Sequence, residues 1–264
     1  MIVQFSKYHG TGNDFIMIDG REQETSFLDH QMINSMCHRR FGIGADGLIV
    51  LGNSNTRDFH MSYYNADGHE GSMCGNGGRC ITAFAKDLGI ISMETTFEGI
   101  DGKHSASLMP NGEIRLKLKD VEGIRWMEDG YFLDTGSPHF IKFVSMLDDM
   151  NVEEEGREIR NQSRWGEKGV NVNFVELGGS PNRISVRTYE RGVENETYSC
   201  GTGVTAAAIC SYFHNKSDIF SYHISTLGGK LNVSFRAMHH TQFNNVHLTG
   251  PAVKVFDGTI KLEP

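Results

Sequence analysis

Apolar and polar positions along this chain fall mostly into short alternating or uniformly apolar runs, with a few stretches at helical spacing. Residues 2–7 alternate as a strand does. A polar, glycine-bearing loop, His9-Gly10-Thr11-Gly12-Asn13-Asp14, separates them from a second apolar strand over 15–18. Asp29 is placed to cap a helix in which Met32, Ile33 and Met36 recur at helical spacing. A glycine-rich loop over 41–47 leads into a short buried strand, 48–51, followed by a strand over 59–64 and a turn at Asn65-Ala66-Asp67-Gly68. A helix-like run then starts at Cys74 and ends near Gly89. Strands over 91–97, 105–109 and 113–118 follow, with Asn111-Gly112 marking a hairpin between the last two.

The second half repeats this plan. The segment Asp134-Thr135-Gly136-Ser137-Pro138-His139 enters a strand over 140–144, and 151–160 reads as an acidic surface helix whose charge run is a solvated face. A loop from Gly169 to Phe174 resembles the one at Gly42 and again enters a strand. Residues 184–189 alternate and deliver Glu190-Arg191-Gly192, after which a second cysteine-led helix begins at Cys200. Strands over 222–226, 231–235 and 245–248 come next, and 252–262 forms a final pair or an extension. Gly12 with Gly136, Gly42 with Gly169 and Cys74 with Cys200 stand at a near-constant offset of about 125 residues, which argues for internal duplication. The fold class expected is α/β in the α+β sense: two similar halves, each a curved, mostly antiparallel sheet with a helix, meeting at a ligand cleft, with a boundary near residues 119–123.

Composition narrows the function. The chain of 264 residues has a formal net charge of −8, with 38% hydrophobic and 22% charged residues, which fits a globular protein and disfavours a nucleic-acid or membrane-surface binder. Five cysteines at irregular spacing do not read as a disulfide framework. The N-terminus lacks the layout of a signal peptide and no apolar run approaches the ~18 residues of a membrane span, so a reducing cytoplasm is expected.

The chemistry lies in two echoing stretches, Ser72-Met73-Cys74-Gly75-Asn76-Gly77-Gly78-Arg79-Cys80 and Ser199-Cys200-Gly201-Thr202-Gly203. Each is a cysteine, a glycine-rich turn and a helix start, where unpaired N–H groups favour a thiolate and can hold a carboxylate. One such element could be a nucleophile, a redox thiol or a buried structural cysteine. Two suit a proton swap at a stereocentre, one thiolate removing an α-proton while a thiol supplies one to the opposite face. Gly75-Asn76 and Gly201-Thr202 could then bind the α-carboxylate as charge spreads onto it. Cys37, Cys80 and Cys210 lie within helix-like runs and read as packing residues. The histidines, including the pair His239-His240, show no ligand spacing, so no metal is expected. Gly42-Ile43-Gly44 precedes a strand, the wrong context for a dinucleotide loop. No feature demands a cofactor.

Taken jointly, several motifs resemble the diaminopimelate epimerase family over nearly the whole chain. They are His9-Gly10-x-Gly12-Asn13-Asp14-Phe15, Gly42-Ile43-Gly44-x-Asp46, Asn65-Ala66-Asp67-Gly68, Met73-Cys74-Gly75-Asn76-Gly77, Pro138-His139, Val170-Asn171, Tyr189-Glu190-Arg191-Gly192 and Cys200-Gly201-Thr202-Gly203. The resemblance implies that family's two-domain fold, with the C-terminal segment crossing back to the first domain: residues 1–119 plus 252–264, carrying Cys74, and 120–251, carrying Cys200. It implies interconversion of LL- and meso-2,6-diaminopimelate, a step toward lysine and peptidoglycan precursors, with neither pyridoxal phosphate nor metal. Cys74 and Cys200 would be the base and acid pair, with His139 and Glu190 beside them. Asn13, Asn65, Asn171 and Arg191 would read the distal end of the substrate, where Arg191 can grip a carboxylate and Glu190 can accept from an ammonium group. Many relatives are homodimers. Two departures stand out: Ser137 where many relatives carry Asn, a shorter reach to the substrate, and Gly47 where some carry Gln. Rival readings are a racemase or epimerase of another amino acid on this fold, or a redox sensor or ligand-binding protein using the two thiols as a reversible disulfide.

Overall fold

The computed structural model describes residues 2–71, 73–216, 218–239 and 241–262. Ser72, His240 and the last two residues of the C-terminal segment, each named in the sequence reading, lie outside the described residues. The chain forms two compact units, one running to Leu116 and taking in the segment from Gly250 onward, the other spanning Lys117–Thr249.

In the first unit the strands are β1 (Ile2–Gly10), β2 (Asn13–Asp19), β3 (Gly47–Gly52), β4 (Phe59–Asn65), β5 (Glu94–Gly99), β6 (Gly102–Leu108) and β7 (Ile114–Lys117). Helix α1 (His30–Cys37) connects β2 to β3, and α2 (Gly75–Asp87) connects β4 to β5. These two crossovers make the parallel pairs, while the remaining neighbours are antiparallel. Parallel neighbours need a crossover helix, so both faces of the central strands are covered. That is why Phe15 to Ile18 and Leu48 to Leu51 are apolar at every position: Ile16, Ile18, Leu48 and Val50 pack with Ile33 and Met36 of α1. Asp29 caps α1, its carboxylate accepting from the Met32 N–H at 2.8 Å, as the sequence predicts.

The second unit repeats the plan. Its strands are β8 (Val121–Glu122), β9 (Arg125–Met127), β10 (Gly130–Asp134), β11 (Pro138–Phe143), β12 (Asn171–Leu177), β13 (Arg183–Glu190), β14 (Asn195–Thr197), β15 (Ser221–Thr226), β16 (Gly229–His239) and β17 (Gln242–Gly250). Helix α3 (Val152–Arg160) links the parallel pair β11 and β12, and α4 (Gly201–Asn215) links the parallel pair β13 and β15. The charged positions of α3 are solvated, and it buries Val152, Gly156 and Ile159 against Phe140, Val172, Phe174 and Tyr189. Helix α4 is buried at every position from Gly203 to Ser211. A helix apolar all round must be enclosed, and strand residues Ile141, Val175, Val186, Ile224 and Val233 form its packing shell. The last strand, β18 (Val253–Lys261), pairs antiparallel with β1.

The structure corrects several boundaries. Most of the loop expected at residues 9–14 is strand: His9 pairs with Asp14 and Gly10 with Asn13, leaving a two-residue turn. Thr11 and Gly12 have φ of 51° and 87°, the left-handed geometry that suits a tight hairpin to strand twist. The segment at 252–262 is one strand, and 91–97 becomes strand only from Glu94. Strands β8, β9 and β14 are too short to show a pattern in the sequence, and β10 is a further strand that the sequence analysis does not single out. No helix among the described residues is long and apolar enough to cross a membrane.

Candidate functional site

Each unit places a cysteine at a helix N-terminus beside the ends of its central strands. Cys74 is the residue before α2, with extended backbone (φ −102°, ψ 125°), and its sulfur accepts from the Gly77 N–H at 3.5 Å. The next turn lies close to its surroundings. A Cβ on Gly78 would sit 2.3 Å from Met73 Cε and 2.9 Å from Leu116 Cδ2, so glycine lets the helix start approach the core.

Asn13, at the start of β2, meets this element directly. Its Oδ1 accepts from the Cys74 thiol at 3.6 Å and from Asn76 Nδ2 at 3.2 Å. Its own Nδ2 donates to Asp46 Oδ2 at 2.8 Å. Asp46 is in turn held by Arg39 at 2.6 Å, and Arg39 and Lys7 both grip Asp14. Burial alone would raise the Asp14 carboxyl, but the hydrogen bonds and charges of Arg39 and Lys7 outweigh it and hold it at about 2. Its stabilisation is therefore present above about pH 4 and lost as pH falls toward 2. Asp14→Asn is expected to remove that loss, so that urea midpoints of the variant change less than wild type between pH 4 and 2.

Arg79 is not among the residues that the sequence motifs single out for the site. It is fully buried in α2 and donates to Gly75 O (3.2 Å), Asn76 Oδ1 (2.9 Å), Thr11 Oγ1 (3.3 Å) and Pro251 O (3.3 Å). None of these acceptors is a carboxylate, and no ion pair to it forms among the described residues. Burial pushes its pKa down from the usual guanidinium range, yet a guanidinium keeps its proton. A positive charge is thus locked into the first turns after Cys74, where it favours a thiolate. The signal in the sequence is its spacing from Asn76, which puts a lone cation on the buried face of the helix.

Asn65 ends β4, and its Oδ1 accepts from Tyr63 OH at 2.9 Å. Gly47 pairs with both Phe15 and Asn65 across β3, which puts Asn65 at the same end of the sheet as Asn13. No hydrogen bond joins the Asn65 side chain to Cys74 or Asn13 among those described. At Gly47, a Cβ would lie 2.6 Å from Tyr64 O, so a larger residue here would require the neighbouring strand to shift.

In the second unit Cys200 precedes α4 with φ −112° and ψ 113°, and is 7% exposed. Its sulfur lies 3.5 Å from Thr202 Oγ1. Thr202 Oγ1 lies 2.9 Å from Nε2 of His139, which is fully buried. Burial first, and the Arg191 charge second, push the His139 pKa down to about 3, so the imidazole is neutral. Asn171 and Asn173 extend from β12 beside it. Asn171 Nδ2 donates to Ser137 Oγ at 2.9 Å, its Oδ1 accepts from the Arg191 N–H at 2.9 Å, and Arg191 Nη2 reaches Ser137 Oγ at 3.5 Å. Ser137, short as it is, sits within this polar cluster. Glu190 ends β13 and accepts from Thr197 Oγ1 at 3.0 Å.

Cys37, Cys80 and Cys210 are buried inside helices, and burial pushes the first two thiols up to about 12 and the third well above its ordinary value. Their proton affinity suits packing. Among the described residues, no group of three or more His, Cys, Asp or Glu side chains is arranged to hold a metal ion.

A family model described as diaminopimelate epimerase matches the chain twice, over residues 5–130 and 131–255. A protein named diaminopimelate epimerase from Flavobacterium psychrophilum is 50% identical over 254 residues, covering 96% of this chain and 98% of that one. Its namesake from Chlorobaculum tepidum is 42% identical, covering 96% and 99%. Among solved structures, a phenazine biosynthesis protein of the PhzF family from Bacillus anthracis superposes with a TM-score of 0.78 at 14% identity, covering 99% of this chain and all of that one. A probable proline racemase from Agrobacterium radiobacter K84 gives 0.71 at 13% identity, covering 99% and 94%. At such identities these structures share the fold alone.

Proposed function

Because the chain belongs to the diaminopimelate epimerase family, we propose that it is an isomerase interconverting LL- and meso-2,6-diaminopimelate by two-base proton transfer between Cys74 and Cys200. One thiolate takes the α-proton, forming its S–H bond, and the electron pair of the broken C–H bond spreads onto the α-carboxylate. The other thiol gives its proton to the opposite face of the carbon. The centre is inverted and the two cysteines have exchanged protonation states, so their ionisations are coupled. The N–H groups at Gly75-Asn76 and Gly201-Thr202 receive the carboxylate as its charge grows, preorganised donors worth ~3–4 kcal/mol each in other enzymes.

The observation that carries this reading is the pair of helix-start cysteines, one in each unit, each with its own polar support. Cys74 has Asn13 and the buried charge of Arg79, and Cys200 has Thr202 and the neutral His139. The Ser137, Asn171 and Arg191 cluster, with Asn13 and Asn65, is suited to the distal carboxylate and ammonium, and Glu190 to the ammonium. The reaction requires the two halves, 1–119 with 252–264 and 120–251, to present their cysteines to opposite faces of one carbon. The acid, base and anion-binding groups it needs are all protein groups, so no cofactor enters the scheme.

We also assign the chain to the cytoplasm, where both thiols stay reduced, and to a homodimer. Val255 and Phe256 of β18, at the register shift against β1, are 56% and 46% exposed, apolar area of the kind subunits cover. Phe256→Glu is expected to shift light-scattering mass from dimer to monomer. The activity itself is tested by incubating the reduced protein with LL-diaminopimelate and resolving the stereoisomers by chiral chromatography. Appearance of the meso form, with no turnover of proline or other single-centre amino acids, supports the assignment; the opposite pattern removes it.

A further inference from the structure

The reaction scheme above gives Asn173 no part, yet this side chain is fully buried and hydrogen-bonded at both ends of its amide beside His139. Its Nδ2 lies 3.0 Å from His139 Nδ1, 3.3 Å from Phe140 O and 3.5 Å from Asn171 O. Its Oδ1 accepts from Thr188 Oγ1 at 3.0 Å. The neighbourhood is built around it: a Cβ on Gly203, in the first turn of α4, would come within 2.3 Å of Asn173 Oδ1.

We propose that Asn173 is a positioning residue that fixes the tautomer of His139 and thereby makes the Thr202 hydroxyl donate to the Cys200 sulfur. The inference rests on the reading of Cys200 as an acid–base group. Carbonyl oxygens only accept, so Phe140 O and Asn171 O decide which end of the Asn173 amide faces them: it must be the NH₂. Turned over, the amide would set its oxygen against two carbonyl oxygens and an imidazole nitrogen and leave Thr188 facing a donor. With NH₂ toward His139, Nδ1 must accept and carries no proton. The imidazole proton therefore sits on Nε2 and is donated to Thr202 Oγ1 at 2.9 Å. Thr202 has one hydroxyl proton. Its oxygen is already accepting from the imidazole, so that proton is free to point at Cys200 Sγ, 3.5 Å away.

The consequence is a one-way chain, Thr188 to Asn173 to His139 to Thr202 to Cys200, every member of which belongs to the second unit. A donor aimed at the sulfur favours its thiolate, so that a larger fraction of Cys200 is in the form that reacts with an alkylating agent at a given pH. The reverse tautomer would make Nε2 an acceptor, draw the Thr202 proton to itself and leave the sulfur facing lone pairs. The charge that reaches His139, that of Arg191 just past the end of β13, leaves this polarity in place: it opposes protonation of His139, which keeps a single imidazole proton to be assigned.

The test reads the tautomer directly. In ¹⁵N-histidine-labelled full chain at pH 7, with the His139 signals identified by their absence in His139→Gln, wild type is expected to show protonated Nε2 and bare Nδ1. In Asn173→Leu the single-tautomer pattern is expected to be lost. Alkylation of Cys200 by iodoacetamide, followed by mass spectrometry of its peptide, should slow about five- to tenfold, to the rate of Thr202→Val. Thr188→Val, which deletes only the hydroxyl that steadies Oδ1, should shift both readouts the same way and serves if the leucine variant does not fold. A proton on Nδ1 in wild type overturns the proposal, as does a folded Asn173 variant with unchanged tautomer and alkylation rate. Neither readout uses turnover, so a protein inert toward diaminopimelate would remove the proposed function and leave this test standing.

Discussion

Cys74→Ala is expected to lower turnover of LL-diaminopimelate about 10²–10⁴-fold in both directions, and Cys200→Ala to do the same. Each thiol is base in one direction and acid in the other, so neither variant can keep one direction intact. The two should differ from Cys37→Ala, Cys80→Ala and Cys210→Ala, whose sulfurs are packed inside helices. Steady-state rates from each isomer, measured on variants with wild-type melting temperatures, check this. An alanine variant at Cys74 or Cys200 that turns over at wild-type rate in one direction would contradict the two-base scheme. The buried guanidinium of Arg79 sharpens the expectation for Cys74. A cation placed little more than one turn into the same helix, with only neutral acceptors around it, biases that half-site toward the anion.

The second large effect is a loss of stability on mild acidification. The folded-state pKa of His139 lies at about 3, pushed down first by burial and then by the Arg191 charge, against an ordinary 6.5. A group depressed in this way binds its proton more readily when unfolded, so its stabilisation is complete above about pH 6.5 and is lost as pH falls toward 3. The slope is about 1.4 kcal/mol per pH unit across that window, on the order of 5 kcal/mol in all. Structure supplies the reason: a proton on Nδ1 would face the NH₂ of Asn173, donor against donor. Asp14 adds its own loss only below about pH 4, so unfolding free energies between pH 6.5 and 4.5 isolate the histidine. His139→Gln is expected to flatten the dependence there; an equal slope in the variant would assign it to other groups.

Much of the fold was legible because the duplication is written in landmarks that do not depend on exact element ends. Asp29 caps a helix because its carboxylate reaches the Met32 N–H, a local relation any sequence displays. The same holds for the apolar runs at Phe15 and Leu48, which are uniformly apolar because helices cover both faces of a parallel junction. What failed to show was non-local. The hairpin at Thr11 and Gly12 puts a β-branched residue at positive φ, against its ordinary preference, and the Thr11 hydroxyl accepts there from Arg79, distant in sequence. Strands β8, β9 and β14 contain two or three residues each and exist only through their partners.

The candidate site divides along the same line. Cysteine followed by glycines and a helix start is a contiguous signal, so Cys74 and Cys200 stood out. Arg79, Asn173 and Thr188 carry their meaning only through partners brought together by the sheet: Asn173 and Thr188 pair across β12 and β13, and neither spacing nor composition separates them from ordinary strand residues. Ser137 shows the converse. Its short side chain looked like a weakened contact, yet Asn171 and Arg191 both reach it.

The central claim, proton exchange with inversion at one carbon, is tested most directly by proton NMR of the reduced protein with LL-diaminopimelate in D₂O. Two-base transfer predicts that the first meso product carries deuterium at its inverted centre while unreacted LL substrate keeps its α-protons. Retention of the α-proton in the product, or no exchange from a folded protein with both thiols reduced, would contradict the account.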